Sequence, residues 1–385
     1  PDFFNALVEV SGQLWAGNVE IHLKSSDWYA HHHETDPNYD NVVLHVVWED
    51  DVAVFRKDGT QVPTLELKDK IAPALLQKYQ EIFQHYNPSF ISCERDFGSF
   101  GPFMLQNYLE RLYLERLEQK SQLILDLLAQ SNNNWEAVLF VLLAKSFGSK
   151  VNGDFFFQRA QQLNFKIIRK ESRDVGALES LFFGQFGLLE EQDCSDAYFL
   201  QLKSEYRYLQ RKYQLLPLFG KPHFFGLRPA NFPTIRLSQL ANLYARHQTL
   251  FSELMEKESL SGMYAVLQTR ASPYWNSHFT FGRVSATRSK RLSRAFMDLL
   301  TLNTLAPLKF CYAKHLGKDW SEGLITLVSD IRGESNSIIT NFNKLGSKSQ
   351  NALESQGKIQ LYNQYCSKNK CLQCTLGSHL LNRNT

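Results

Sequence analysis

Glu20, His22 and Lys24 alternate along residues 15–24, a spacing that sends all three side chains to one face of a β-strand while Val19, Ile21 and Leu23 take the other. A carboxylate, an imidazole and an ammonium in one row are costly to bury without a purpose. They are also what metal-assisted hydrolysis uses. The carboxylate holds a cation, and a neighbouring base or cation orients water and stabilises charge on phosphate. A second carboxylate, Asp2, follows a proline just ahead of the preceding strand. The polar stretch 26–40 adds Asp27, His31, His33 and Asp36, and His45 stands on the next strand. Histidine and aspartate at such short spacing are metal-ligand material. The competing reading makes the stretch a polar surface loop and His45 a satisfied core residue. So many ionisable groups close together in sequence favour a site.

The last residues carry a second pattern. Cys366, Cys371 and Cys374 read C-x4-C-x2-C, a spacing that lets neighbouring sulfurs reach one zinc ion or an iron–sulfur cluster. Cys93 is a candidate fourth ligand brought in by the fold. Six cysteines in 385 residues, three of them clustered, favour a metal over a disulfide framework.

Two basic stretches suit phosphate. Arg228 and Arg236 flank a proline-bounded turn leading into a helix, whose N-terminus favours an anion. Arg283, Arg288, Lys290 and Arg291 sit among hydroxyls in a segment that would touch a DNA or RNA backbone without reading its sequence.

These residues need elements to position them. Residues 4–10, 14–23, 42–48 and 52–55 read as strands, with Ser11-Gly12 and Lys57-Asp58-Gly59-Thr60 as turns. From about residue 70 the apolar spacing becomes helical. Helices are expected at 72–86, 103–130, 135–147, 155–163, 173–186, 197–213, 237–257 and 291–305. A loop rich in Pro, Gly and Phe, 216–233, divides them. Three segments follow from this, 1–70, 71–215 and 216–385. The fold class is α+β, a mixed α/β module ahead of a large all-α region with a C-terminal cysteine cluster.

Composition allows a proper core, with 43% hydrophobic and 13% aromatic residues. A net charge of +3 is too small for a protein that coats nucleic acid, so any such contact must be local. No apolar run is long enough for a membrane-spanning helix, and a cytoplasmic location is expected. The chain starts at Pro1 without a methionine and reads as a fragment.

The order Pro-Asp, then Glu-x-His-x-Lys on the following strand, then a helix and another strand, resembles the PD-(D/E)xK nuclease-like superfamily. That resemblance implies a restriction-endonuclease-like fold in which Asp2 and Glu20 hold Mg²⁺ or Mn²⁺. His22 stands where the superfamily usually has lysine, and Lys24 is displaced by two positions on the same face. Across nearly the whole chain, the phrases PDFFNA, WAGNVEIH, SSDWYAHHH, VPTLEL, ESLFFGQFGLL and RPANFPTIRLSQLA resemble a domain-of-unknown-function family (2851), chiefly from Bacteroidetes. This second resemblance implies residues ahead of Pro1, and recurrence of Asp2, Glu20, His22, Asp27, Trp28, His31, His33, Asp36, Tyr39 and His45, with His32 dispensable. A metal-dependent nuclease is the function expected. The alternatives are a non-catalytic nucleic-acid-binding protein and a helical scaffold with a structural metal.

Overall fold

The computed structural model describes residues 1–10, 12–83, 89–190, 194–216 and 219–383. They form two compact units, one of residues 1–93 with 371–385 and one of residues 94–370.

The first unit is built on a four-stranded sheet in the order β1 (Phe3–Val10), β2 (Gln13–Lys24), β3 (Val42–Glu49) and β4 (Thr64–Glu66). β1 and β2 form an antiparallel hairpin closed by Gly12, whose φ of 79° is one that glycine adopts without a Cβ clash. Ser11, its expected partner in the turn, lies outside the described residues. β2, β3 and β4 then run parallel. A parallel neighbour requires a crossover, and residues 25–41 supply it through a single helical turn, α1 (Asp27–Ala30), and a 3-10 turn at Pro37–Tyr39. The crossover lies over the sheet and closes a small core of Trp28, Val42, Val54 and Val62. Residues 52–55 are not a strand. They make a single bridge, Phe55 to Gln61, around the expected turn, where Asp58 Oδ1 accepts from the Thr60 N–H. α2 (Pro73–Phe83) follows, and α17 (Thr375–Asn382) packs on it. The end of the expected 72–86 helix falls outside the described residues.

The second unit is helical. α3 (Pro102–Gln130), α4 (Trp135–Phe147), α5 (Ser149–Gln162), α6 (Phe165–Glu171), α7 (Val175–Gln185) and α8 (Ala197–Tyr213) precede α9 (Pro233–Arg246), α10 (Leu250–Glu256) and α11 (Leu260–Leu267). The expected 237–257 helix is thus two, broken around His247, whose ring meets Glu253 at 2.6 Å. The loop at 216–233 does not divide two domains, because α7 packs on both α8 and α9 across it. Beyond the short strands β5 (His278–Thr280) and β6 (Arg283–Val284) lies α12 (Arg294–Leu300). A π-turn at Thr301–Leu305 joins it to α13 (Ala306–His315). Pro307 has no N–H to return to the preceding turn, which accounts for the widened helix there. Three more helices, α14 (Ser321–Ser329), α15 (Ser337–Lys344) and α16 (Ala352–Gln364), complete the unit. No described helix is long and apolar enough to cross a membrane.

Candidate metal centre

The centre forms where the crossover turns back over β2. Asp51 clamps the start of the crossover, accepting from the Ser26 N–H at 2.9 Å and from the hydroxyls of Ser25 and Ser26 at 2.9 and 2.8 Å. α1 then ends in a Schellman arrangement. The His33 N–H donates to the Trp28 carbonyl at 3.0 Å and the His32 N–H to that of Tyr29 at 3.1 Å. His32 occupies the left-handed position with φ of 60°, where glycine is usual. This single reversal turns His32 outward, its side chain 81% exposed, while His31 and His33 face the sheet. Trp28, fully buried, underlies them, its ring in edge or tilted contact with those of His33, Tyr39 and His45. Tyr39 stacks on His33 at 3.7 Å between ring centres.

β2 and β3 supply the rest. Parallel register sets Glu20 beside His45 on the face that also carries His22. His31 Nδ1 lies 3.1 Å from His22 Nε2, and Glu20 Oε1 lies 3.5 Å from both His22 Nε2 and His33 Nε2. The ligand atoms of His22, His31 and His33 all fall within 4.8 Å of one another. Donors around a tetrahedral ion with bonds of about 2.0–2.1 Å stand about 3.3 Å apart, which the 3.1 and 3.5 Å separations match. His33 Nε2 is buried without a hydrogen-bond partner, 3.5 Å from Glu20 Oε1. The outer ring nitrogen of His22, Nδ1, lies 2.9 Å from His45 Nε2, the outer-shell hydrogen bond that orients metal-binding histidines. Glu20 is held from the other side, its Oε2 accepting from the Asp2 N–H at 3.1 Å.

Electrostatics favour the same state. Burial lowers the His22 imidazole and takes those of His33 and His45 down to about 4, with neighbouring histidines adding to the shift, so all three are neutral near pH 7. Neutral imidazole is the form that binds a metal. Burial, and after it the Asp2 carboxylate, raises Glu20 above the usual carboxylate range.

Glu20, His22, His31, His33 and His45 are therefore brought together, whereas Asp2, expected as a metal ligand, stands beside them with its N–H on Glu20 and its Oδ2 accepting from the Ile21 N–H at 2.9 Å. Three further expected members are not part of the cluster. Lys24 is half exposed and faces Glu49 at 3.9 Å. Asp27 accepts from the Lys24 N–H at 3.0 Å, and Asp36 caps the 3-10 turn through the Asn38 N–H at 2.9 Å. Each is held by local structure that shapes the crossover. Asp51 was missed by sequence reading, because its role depends on the Ser25-Ser26 pair arriving beside it. Adjacent serines opening the crossover were the available signal.

The basic residues are sorted differently by the fold. Arg228, Arg283, Arg288 and Arg291 are exposed. Arg236 is buried, its guanidinium over the Phe296 ring at 3.5 Å and bonded to Gln239 and Asn231 at 2.9 and 2.6 Å. Lys290 is buried too, donating to the carbonyls of Trp275 and Asn276. Neither of these cations reaches an external phosphate, because both are buried.

Of the cysteines, Cys366 opens a 3-10 turn in the second unit, and Cys93, Cys371 and Cys374 belong to the first. Burial raises the Cys371 thiol, which hydrogen-bonds Ser92, the neighbour of Cys93, and feels Cys374 nearby. Gly377 in α17 approaches the Cys371 carbonyl so closely that no Cβ would fit.

Residues 1–337 match the family described as "Protein of unknown function (DUF2851)", and the chain belongs to that family. No curated protein and no solved structure matches it.

Proposed function

We propose that the first unit of this DUF2851 member is a metal-dependent hydrolytic centre acting on phosphodiesters, with nucleic acid as the substrate class. The observation that carries it is the convergence of His22, His31 and His33 at ligand spacing with Glu20 beside them. Three protein ligands leave a fourth position for water, which is how catalytic sites differ from closed structural ones. Imidazole donors suit Zn²⁺, whereas Mg²⁺ and Mn²⁺, expected from a two-carboxylate motif, prefer oxygen. The ion would supply a water of lowered pKa and charge for a developing phosphorane. Glu20, its carboxyl raised by burial, is placed to take that water's proton, and Asp2 holds Glu20 in orientation through its N–H. A hairpin followed by a parallel strand, with Pro-Asp ahead of β1 and Glu-x-His on β2, supports the nuclease-like reading of this centre.

A second reading has one observation in its favour. If Glu20 Oε1 binds the ion directly, its 3.5 Å distances complete a closed tetrahedral site and the ion is structural. The chain loaded with Zn²⁺ or Mn²⁺ is assayed on single- and double-stranded DNA and RNA, beside Glu20→Gln and His31→Ala. Cleavage lost in both variants, with metal content kept in Glu20→Gln, is the expected result. Absence of cleavage by the loaded chain, or normal turnover in Glu20→Gln, defeats the hydrolytic reading. Loss of metal from Glu20→Gln together with inactivity of the parent favours the structural one.

The C-terminal cysteines keep their expected role as a proposal within this reading. Cys93, Cys371 and Cys374, all in the first unit, hold zinc or an iron–sulfur cluster, supported by the Cys371–Ser92 contact that brings the Cys93 segment alongside.

A further inference from the structure

Arg173, Arg246, Arg270 and Arg291 are far apart in sequence, yet they line one open cavity of about 500 Å³ in the second unit, together with Asn242 and Gln268. No carboxylate and no aromatic ring lines it. All four arginines are exposed, and among the described residues no carboxylate pairs with any of them.

Backbone geometry forces two of these charges together. Arg270 and Arg291 face each other across an isolated antiparallel bridge. The flanking bonds run from the Leu292 N–H to the Thr269 carbonyl and from the Ala271 N–H to the Lys290 carbonyl, each 3.0 Å. That makes Arg270 and Arg291 a non-hydrogen-bonded pair, the kind whose side chains lie closest. Like charges directly opposite destabilise a ladder, and nothing in the wall offsets these. Arg246 Nη1 donates to the Gln268 carbonyl at 2.9 Å, so its guanidinium is positioned by main chain with its charge unspent. Asp174, the acid adjacent to Arg173, is occupied in capping α7 through the N–H groups of Gly176 and Ala177 at 2.8 and 3.3 Å.

We propose that this cleft binds a phosphate-bearing ligand through at least two of its phosphate groups. Guanidinium forks match phosphate oxygens in pairs, and four of them without a counter-ion need more than one dianion's worth of charge nearby. No aromatic ring lines the cleft to stack a base, so the recognition it offers is chiefly of phosphate. A nucleic-acid backbone and a free polyphosphate share that chemistry. The first would give the reading of the metal centre a separate substrate grip. The second would stand apart from it.

The test is binding in the presence of EDTA, which removes turnover and so separates this inference from the fate of the hydrolytic reading. A short fluorescein-labelled single-stranded oligonucleotide is titrated by anisotropy, and tripolyphosphate by calorimetry and as a competitor. The variants are Arg270→Gln/Arg291→Gln and, as a charge-matched control, Arg207→Gln/Arg211→Gln, both exposed on α8. At least one probe is expected to bind with salt-dependent affinity and to weaken about tenfold or more in the first variant but not in the control. Oligonucleotide binding that tripolyphosphate does not displace identifies the backbone as the source. Displacement, with heat from tripolyphosphate itself, identifies the free polyphosphate. Binding of neither probe to the parent, or equal weakening in both variants, overturns the proposal. Unchanged melting of the variants excludes misfolding, and Arg270→Lys/Arg291→Lys, which keeps charge but loses the fork, is expected to fall between parent and glutamine variant.

Discussion

His22 Nδ1 on β2 and His45 Nε2 on the parallel strand β3 stand 2.9 Å apart, and His45 Nδ1 is buried with no partner of its own. With the proton of this contact on His22, its Nε2 presents a lone pair to the centre. Outer-shell partners of this kind are worth about 10–100-fold in metal affinity. His45→Leu, close in volume and unable to hydrogen-bond, is therefore expected to weaken Zn²⁺ by that range in chelator competition. An unchanged affinity would remove His45 from the metal argument.

Stability without metal should depend on pH through His33 and His45. Both are held at about 4 in the folded chain, against about 6.5 when unfolded. Below pH about 6.5 the unfolded chain takes up protons that the folded chain refuses until about 4. Stability is thus greatest above that window and falls as pH is lowered through it. Thermal melting of the metal-free protein across this range is expected to show the loss, with a shallower slope in His45→Leu. Parallel slopes in the two proteins would contradict the assignment.

The left-handed backbone at His32 makes a prediction about a residue that touches nothing in the centre. A residue with a Cβ pays about 1–2 kcal/mol there, and a β-branched one more. His32→Gly should keep metal affinity and gain a little stability, while His32→Val should lose stability and metal affinity together, because the reversal positions both His31 and His33. Denaturant melts and chelator competition on the pair of variants measure it. Equal behaviour of Gly and Val would show that the turn is not what sets the histidines.

Metal analysis separates the two proposed centres. Protein purified without air is expected to lose zinc or iron on Cys371→Ser/Cys374→Ser while the metal bound at the histidines persists. His31→Ala should give the converse. Identical metal content in the cysteine variant and its parent would leave the histidines as the single centre.

Much of the local structure was legible. Alternation located β1, β2 and β3 to within a residue or two, and apolar spacing found α3, α4 and α8 at nearly their observed ends. β4 went unseen because three residues carry too little pattern. Residues 52–55 looked like a strand through β-branched content alone, but they have no neighbour to pair with beyond one bridge. The late helix α16 escaped because several of its buried positions are polar. Ser355, Gln356, Lys358 and Gln360 are all inside, satisfied by tertiary partners that periodicity does not reveal.

By itself the sequence determined which chemical groups the first unit could use. Glu20 and His22 share a face because strand period is two, whatever the rest of the chain does. It could not determine which face would be covered. An alternating strand ordinarily buries its apolar side, yet here Glu20 and His45 are inside while Ile21 is 45% and Leu23 75% exposed. That outcome belongs to the crossover, which lays Trp28, His31, His33 and Tyr39 over the polar face. The same holds for the arginines: four charges from separate segments met in one cleft, and two from the most basic stretches went inside. Covalent spacing fixes neighbours within a turn or a strand. Convergence of residues tens of positions apart depends on chain reversals and packing, whose energies are shared by the whole fold.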